Sequence, residues 1–260
     1  MNNKLKMFLI ILGSTVILSL AARAQEYKLA KSTGRLVITE VNDVTIEGYD
    51  GNEIIFTAKD YSRGKDERAE GLRAINGMGL SDNTGIGLSV VENGNAIEVR
   101  QLRKMDGPDI NIRVPKGVTI SYMHSSPHGD DISVINVGGE IEISTVHNGV
   151  KLVNVTGPVI LNTVHGEIEA GFTTAMKSPV SMVSVHGLID VTLPAAIGAT
   201  LAMSTNHGEI LVDPAIKIEL DKKDEEWVRF GTGNVTGKIN GGGIDIKLSS
   251  STGNIYLRKK

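Results

Sequence analysis

A short motif returns at near-constant intervals along the second half of this chain: a hydroxyl residue, a spacer, then histidine, glycine and an apolar residue. Its copies are Thr145-Val146-His147-Asn148-Gly149-Val150, Thr163-Val164-His165-Gly166-Glu167-Ile168, Ser184-Val185-His186-Gly187-Leu188-Ile189 and Thr205-Asn206-His207-Gly208-Glu209-Ile210. The histidines lie 18, 21 and 21 residues apart. A period of that size is the mark of stacked supersecondary units, each burying its apolar face against the next.

Weaker copies extend the pattern in both directions. His128-Gly129 lies upstream, Thr33-Gly34-Arg35-Leu36 near the start, and Thr232-Gly233-Asn234-Val235 and Thr252-Gly253-Asn254-Ile255 near the end. After each turn apolar residues alternate, as in Val150/Leu152, Ile189/Val191/Leu193 and Ile255/Leu257. Alternation places one face of a strand in a core and the other outside. A second turn falls between the histidine turns, at Val137-Gly138-Gly139 and Val155-Thr156-Gly157-Pro158. Strands of about six residues separated by such turns give about two strands per rung. The expected fold is all-β: a single-domain β-solenoid, parallel β-helix-like, whose hand the sequence leaves open. Its end rungs need covering. The N-terminal strands and the closing Gly253–Arg258 segment with Lys259-Lys260 are the expected caps.

The stretch Met7 to Leu20 follows Lys4 and Lys6 and precedes Ala22-Arg23-Ala24. A basic start, a short apolar run and an A-x-A site describe a secretory signal peptide, residues 1–24, with residues 25–260 as the exported domain. The run is shorter than the ~20 residues of a spanning helix, so no stable membrane insertion is expected after its removal. No cysteine is present, which excludes a disulfide framework and a lipid-modified N-terminal cysteine. Losing Lys4, Lys6 and Arg23 makes the formal charge of −3 three units more negative. An acidic chain without clustered Lys and Arg argues against a nucleic-acid partner. Aromatics at 4 %, with Trp227 the only tryptophan, argue against a cleft lined by Trp and Tyr.

Three blocks together resemble a known family: the opening Gly34-Arg35-Leu36-Val37-Ile38, the middle Asp82-Asn83-Thr84-Gly85-Ile86-Gly87-Leu88, and the closing Gly237-Lys238-Ile239-Asn240-Gly241-Gly242-Gly243 with Ser251-Thr252-Gly253-Asn254-Ile255-Tyr256-Leu257. They look like the toastrack (putative-adhesin) β-strand-repeat family of bacterial envelope proteins, over essentially the whole exported chain. The resemblance implies a β-helix-like fold and extracytoplasmic placement, in the periplasm or at the cell surface. It brings no catalytic motif.

Candidate chemistry begins with the histidines. On successive rungs about 4.8 Å apart, His147, His165, His186 and His207 would form a column of potential metal ligands, since imidazole binds zinc and copper. The simpler reading is a structural turn position, because threonine replaces histidine at Thr232 and Thr252. The glycine-rich Gly71–Gly79 segment lacks the Gly-Lys-Ser/Thr ending of a phosphate loop. Asp130-Asp131 and Asp106 to Asp109 offer oxygen ligands without a calcium-loop pattern. Ser125-Ser126 beside His124 and His128 lack a nucleophile elbow.

The outward positions mix charges: Glu140/Glu142, Lys151, Glu167/Glu169, Asp190, Lys238 and Asp245/Lys247. That mixture reads as cross-strand pairing and not as converging catalytic carboxylates. The expected function is that of a non-enzymatic binding, adhesin-like or scaffolding module at the bacterial cell envelope, without cofactor. Its expected partner is an envelope or extracellular polymer such as a glycan, or another envelope protein. A polysaccharide-acting enzyme on a β-helix and a metal-binding envelope protein are the alternatives.

Overall fold

The computed structural model describes residues 25–59, 68, 71–105, 107–220 and 233–260. The expected signal peptide, Asp106, and the 221–232 stretch that holds Trp227 and Thr232 lie outside the described residues.

Strands occupy most of what is described. The first are β1 (Gln25–Leu29), β2 (Thr33–Thr39), β3 (Val44–Tyr49), β4 (Ile54–Lys59), β5 (Leu88–Asn93), β6 (Ala96–Gln101) and β7 (Asp109–Pro115). The repeat region holds β8 (Gly117–His124), β9 (Ile132–Ile135), β10 (Ile141–Thr145), β11 (Val150–Val155), β12 (Val159–Thr163), β13 (Ile168–Phe172), β14 (Val180–Ser184) and β15 (Ile189–Leu193). The chain finishes with β16 (Ala199–Thr205), β17 (Ile210–Val212), β18 (Ile218–Leu220), β19 (Gly233–Ile239), β20 (Ile244–Ser250) and β21 (Ile255–Lys259). Among the described residues no helix is long and apolar enough to cross a membrane.

Two open sheets face each other. One runs β1-β4-β7-β3-β9-β11-β13-β15-β21-β17, and the other β5-β6-β2-β8-β10-β12-β14-β20-β16-β19-β18. Each rung contributes one strand to each sheet, as β12 and β13 do, and the central rungs pair in parallel. This is the expected two-strand β-solenoid. Alternation is strict: Val159, Leu161 and Thr163 are buried while Ile160 and Asn162 face outward. Parallel register stacks like on like. Ile120, Ile141, Val159, Val180, Ile246 and Leu201 form one inner row. Tyr122, Ile143, Leu161, Met182, Leu248 and Met203 form the next. Among the described residues every buried side-chain nitrogen and oxygen has a hydrogen-bond partner.

Rung order in space departs from rung order in sequence at both ends. The β2–β3 rung is second in space, lodged between β6–β7 and β8–β9. The last rung in sequence, β20–β21, is lodged between β14–β15 and β16–β17. The closing segment therefore does not cap the solenoid, contrary to expectation; its apolar face is buried from both sides. The caps are antiparallel strands: β1 and β4 beyond β7, β5 beyond β6, and β19 with β18 beyond β16. The Gly233-Asn234-Val235 copy of the motif belongs to such a cap and makes no rung.

The lodged rung tests this topology. Ending the chain at Ile239 removes Ile246, Leu248, Ile255 and Leu257, none more than 1 % exposed. At about 1.5–3 kcal/mol for each buried aliphatic side chain, the loss rivals the roughly 5–15 kcal/mol that holds a typical domain together. The truncated chain is expected to lose its cooperative thermal transition by circular dichroism. A sharp melt close to that of the full chain would show the last rung to be dispensable.

Candidate functional site

The repeated corner after β10, β12, β14, β20 and β16 is built from a hydroxyl and a close backbone contact. Thr145, Thr163, Ser184, Ser250 and Thr205 end these strands and form a buried row. The Thr145 hydroxyl donates to the Asn148 carbonyl at 2.7 Å and that of Thr163 to the Gly166 carbonyl at 2.8 Å. The backbone N–H groups of Gly187, Gly253 and Gly208 donate to Ser184, Ser250 and Thr205 at 2.8, 2.9 and 3.0 Å.

Glycine follows because each corner sits on the one below. A β-carbon on Gly166 would lie 1.9 Å from the Asn148 carbonyl oxygen, and one on Gly187 2.0 Å from that of Gly166. On Gly253 it would lie 2.1 Å from the Gly187 oxygen, and on Gly208 2.3 Å from that of Gly253. Hydroxyl and glycine are thus the structural half of the motif.

The histidine between them does neither job. His147, His165 and His186 are exposed and stacked, with ring centroids 5.6 and 5.0 Å apart and interplanar angles of 17° and 9°. The next position belongs to Thr252, because the lodged rung intervenes. Its N–H donates to the Val185 carbonyl at 3.1 Å, repeating the His186 N–H to Val164 bond at 2.8 Å. His186 Nδ1 lies 3.3 Å from Thr252 Oγ1. His207 comes after Thr252, its N–H donating to the Ser251 carbonyl at 3.1 Å. The structure brings three of the four candidate ligands together and sets His207 apart. Among the described residues no three or more His, Asp or Glu side chains converge as a metal site.

The Ser125-Ser126 region is a turn lock. His124 occupies the first place in the buried hydroxyl row, opposite Thr145. Its Nδ1 lies 2.8 Å from Asn148 Oδ1 and its Nε2 3.2 Å from Asn42 Oδ1, so neither ring nitrogen reaches a serine. The Ser125 hydroxyl instead donates to Glu40 at 2.6 Å. Burial alone pushes the Glu40 carboxyl up, but hydrogen bonds from Ser125 and Ser126 and the nearby His124 outweigh it and hold the group below its ordinary range.

Three of the aspartate candidates converge. Asp109, Asp130 and Asp131 line a shallow depression of about 210 Å³ with Asp43 and Lys59. Burial pushes the Asp43 carboxyl above its ordinary range; the Asp130 N–H bond at 2.7 Å opposes that, while the charges of Asp130 and Asp109 add to it.

The outward face of the β11–β13–β15–β21 sheet carries a run of organised polar groups. Lys151 pairs with Glu169 at 3.3 Å, and Arg258 Nε contacts both oxygens of Asp190 at 2.8 and 2.9 Å. Each carboxylate is held by a cation, an arrangement suited to cross-strand pairing and not to a free acid/base pair. Gly171 lies among them with no side chain, leaving a notch of about 300 Å³ lined by Lys151, Glu169, Asp190, Thr192 and Arg258. A second groove, of about 540 Å³, adjoins it through Arg258 and runs past Tyr256, Leu211 and Asp213. The Arg258 guanidinium also lies 5.4 Å from the Tyr256 ring centroid. The sequence listed these charges, but nothing in it showed that a glycine would open a notch between them.

No protein-family model matches the chain, and no curated protein matches it. The chain is similar to two solved structures. The first is a putative cell adhesion protein from Clostridium sporogenes ATCC 15579, with a TM-score of 0.47 and 11 % identity, covering 92 % of this chain and 100 % of that one. The second is a putative adhesin from Bacteroides fragilis NCTC 9343, with a TM-score of 0.34 and 10 % identity, covering 90 % of this chain and 96 % of that one.

The division of labour in the corner has a direct test. Gly187→Ala is expected to destabilise the protein by about 1–3 kcal/mol or more through overpacking, whereas His165→Thr stays within about 0.5 kcal/mol. Urea denaturation compares them, and the reverse ranking would make the imidazoles structural.

Asp43 supplies a second test. Its folded-state pKa lies above the unfolded value, so its ionisation costs stability above the carboxylate range, and the cost disappears as pH falls below that range. Asp43→Asn keeps an oxygen for the Asp130 N–H. It is expected to raise the melting temperature at pH 7 by roughly 1–3 °C, with the gain vanishing near pH 3. An unchanged or lowered melting temperature at pH 7 would contradict this account.

Proposed function

We propose that the protein is an exported, non-enzymatic binding module of the cell envelope that presents a rigid sheet face to an extended partner. The observation that carries this reading is the strip over β11, β13, β15, β21 and β17. There the Gly171 notch and the groove beside Tyr256 lie on either side of Arg258, and together they span several rungs. A stacked solenoid holds such a strip straight and repeats its side chains at the rung spacing, which suits a linear or repetitive ligand.

Paired charges beside a tyrosine offer hydrogen bonds and one flat ring to a hydroxyl-rich chain, so an envelope glycan is the partner that best fits. A strand of another envelope protein is the competing occupant. The engaged carboxylates Glu169 and Asp190 favour holding a polymer over cleaving it.

Co-sedimentation of the purified protein with cell-wall, outer-membrane and polysaccharide fractions tests the reading. Saturable binding to a glycan-bearing fraction is expected. Gly171→Lys should abolish it without unfolding the protein, because a β-carbon there meets nothing closer than the Leu152 carbonyl oxygen at 3.7 Å. Binding unaffected by that plug would remove the strip from consideration, and no binding to any fraction would sink the envelope-polymer reading.

A further inference from the structure

We propose that the imidazole column is a two-ligand site for a divalent transition-metal ion such as Cu²⁺, Ni²⁺ or Zn²⁺, centred on His165. The turn does not require histidine. Thr252 occupies the equivalent position one rung beyond His186 with the same backbone hydrogen bond, and its Ser250 and Gly253 neighbours complete the corner as elsewhere. Three aligned, exposed imidazoles are therefore surplus to the fold.

Their spacing brings neighbours within reach of a common ion. His147, His165 and His186 are exposed and stack with centroids 5.6 and 5.0 Å apart. Stacked rings hold their lone pairs parallel, so two neighbouring imidazoles must turn out of the stack for their nitrogens to reach one ion at about 2.0–2.1 Å, and the exposure of all three leaves room for that turn. Neutral imidazole suits copper, nickel and zinc. No third protein ligand converges among the described residues, so water completes the coordination and the ion exchanges readily, unlike a closed structural zinc.

The column also fixes the rules of occupancy. His165 can pair with either neighbour, whereas His147 and His186 lie two rungs apart, roughly 10 Å at the ~4.8 Å rung spacing. They cannot share an ion. One ion binds per chain, through His165 and either outer histidine. His207 takes no part, because Thr252 separates it from His186.

Titration calorimetry with Cu²⁺ on the untagged protein, alongside electron paramagnetic resonance, tests these rules. The protein is expected to bind one Cu²⁺ with a two-nitrogen imidazole signature. His165→Thr should weaken binding by at least about tenfold. His147→Thr or His186→Thr alone should change it by less than about threefold, since the other pair survives, while the double variant should match His165→Thr. His207→Thr should have no effect.

Equal losses from all positions, undiminished binding in His165→Thr, or no binding at all would each overturn the proposal. If His165→Thr fails to fold, the number of coupled imidazole nitrogens in the unmutated protein still decides: two support the site, none or one removes it.

Discussion

Everything in this molecule depends on how closely one corner backbone sits on the next. The glycines of the repeated motif leave no room for a β-carbon against the carbonyl of the rung below. The buried hydroxyl at the end of each strand ties off the amide or carbonyl groups that so tight a turn would otherwise strand. An unsatisfied buried polar group costs about 1–3 kcal/mol, so each of these corners keeps its hydroxyl, even where Asn148 stands in the place that Gly166 takes on the next rung. With that contact fixed, rung spacing is fixed, and inner rows of Ile, Val, Leu and Met align without further instruction. The same spacing sets the distance between imidazoles on the corner and between charges on the face.

The lodging of both terminal rungs inside the stack is the second organising fact. A linear solenoid contacts only neighbours in sequence, and its terminal repeats can fray. Here β2–β3 and β20–β21 each have a parallel neighbour on either side in both sheets, so the first and last rungs in sequence are tied into the interior, while β1 lies at a sheet edge. The cost is topological: β14–β15 and β16–β17 do not pair with each other directly, and the gap between them closes only when the last residues arrive. Short edge strands then finish the sheets at one end, the antiparallel β18 and the parallel β17, each only three residues. Short edge strands offer little template for further pairing.

The fold was legible in the sequence because period-two alternation and regularly spaced turns are local signals. Rung order was not, because the motif in Ser251-Thr252-Gly253 looks the same whether it closes the stack or enters its middle. That ambiguity misplaced the closing segment as a cap and placed His207 in a continuous column. The role of the motif's first residue was visible as a preference for Thr or Ser, but its burial was not. His124 and Asn42 carried no readable signal at all: they meet across more than eighty residues, inside the row that threonine fills elsewhere. The convergence of Asp43 and Asp109 with Asp130 and Asp131 is likewise a product of stacking, invisible to a scan for calcium loops. Local chemistry was readable; juxtaposition was not.

The two proposed binding surfaces differ in what constrains them. The imidazole corner and the polar face share the rung spacing but lie on different parts of each rung: the histidines in the turn after one strand, the charged residues on the following strand. Lys151 follows His147 by four residues, Glu169 follows His165 by four, and Asp190 follows His186 by four. The same rungs thus supply both sites, side by side along the solenoid. A substitution on one leaves the backbone of the other untouched, because the glycine and hydroxyl that hold the corner face inward and neither site uses them. A ligand on the face and an ion on the corner therefore need not compete. An extended polymer that overhangs the turn would itself meet the imidazoles, and a metal held there with open coordination positions would give its oxygens one more anchor.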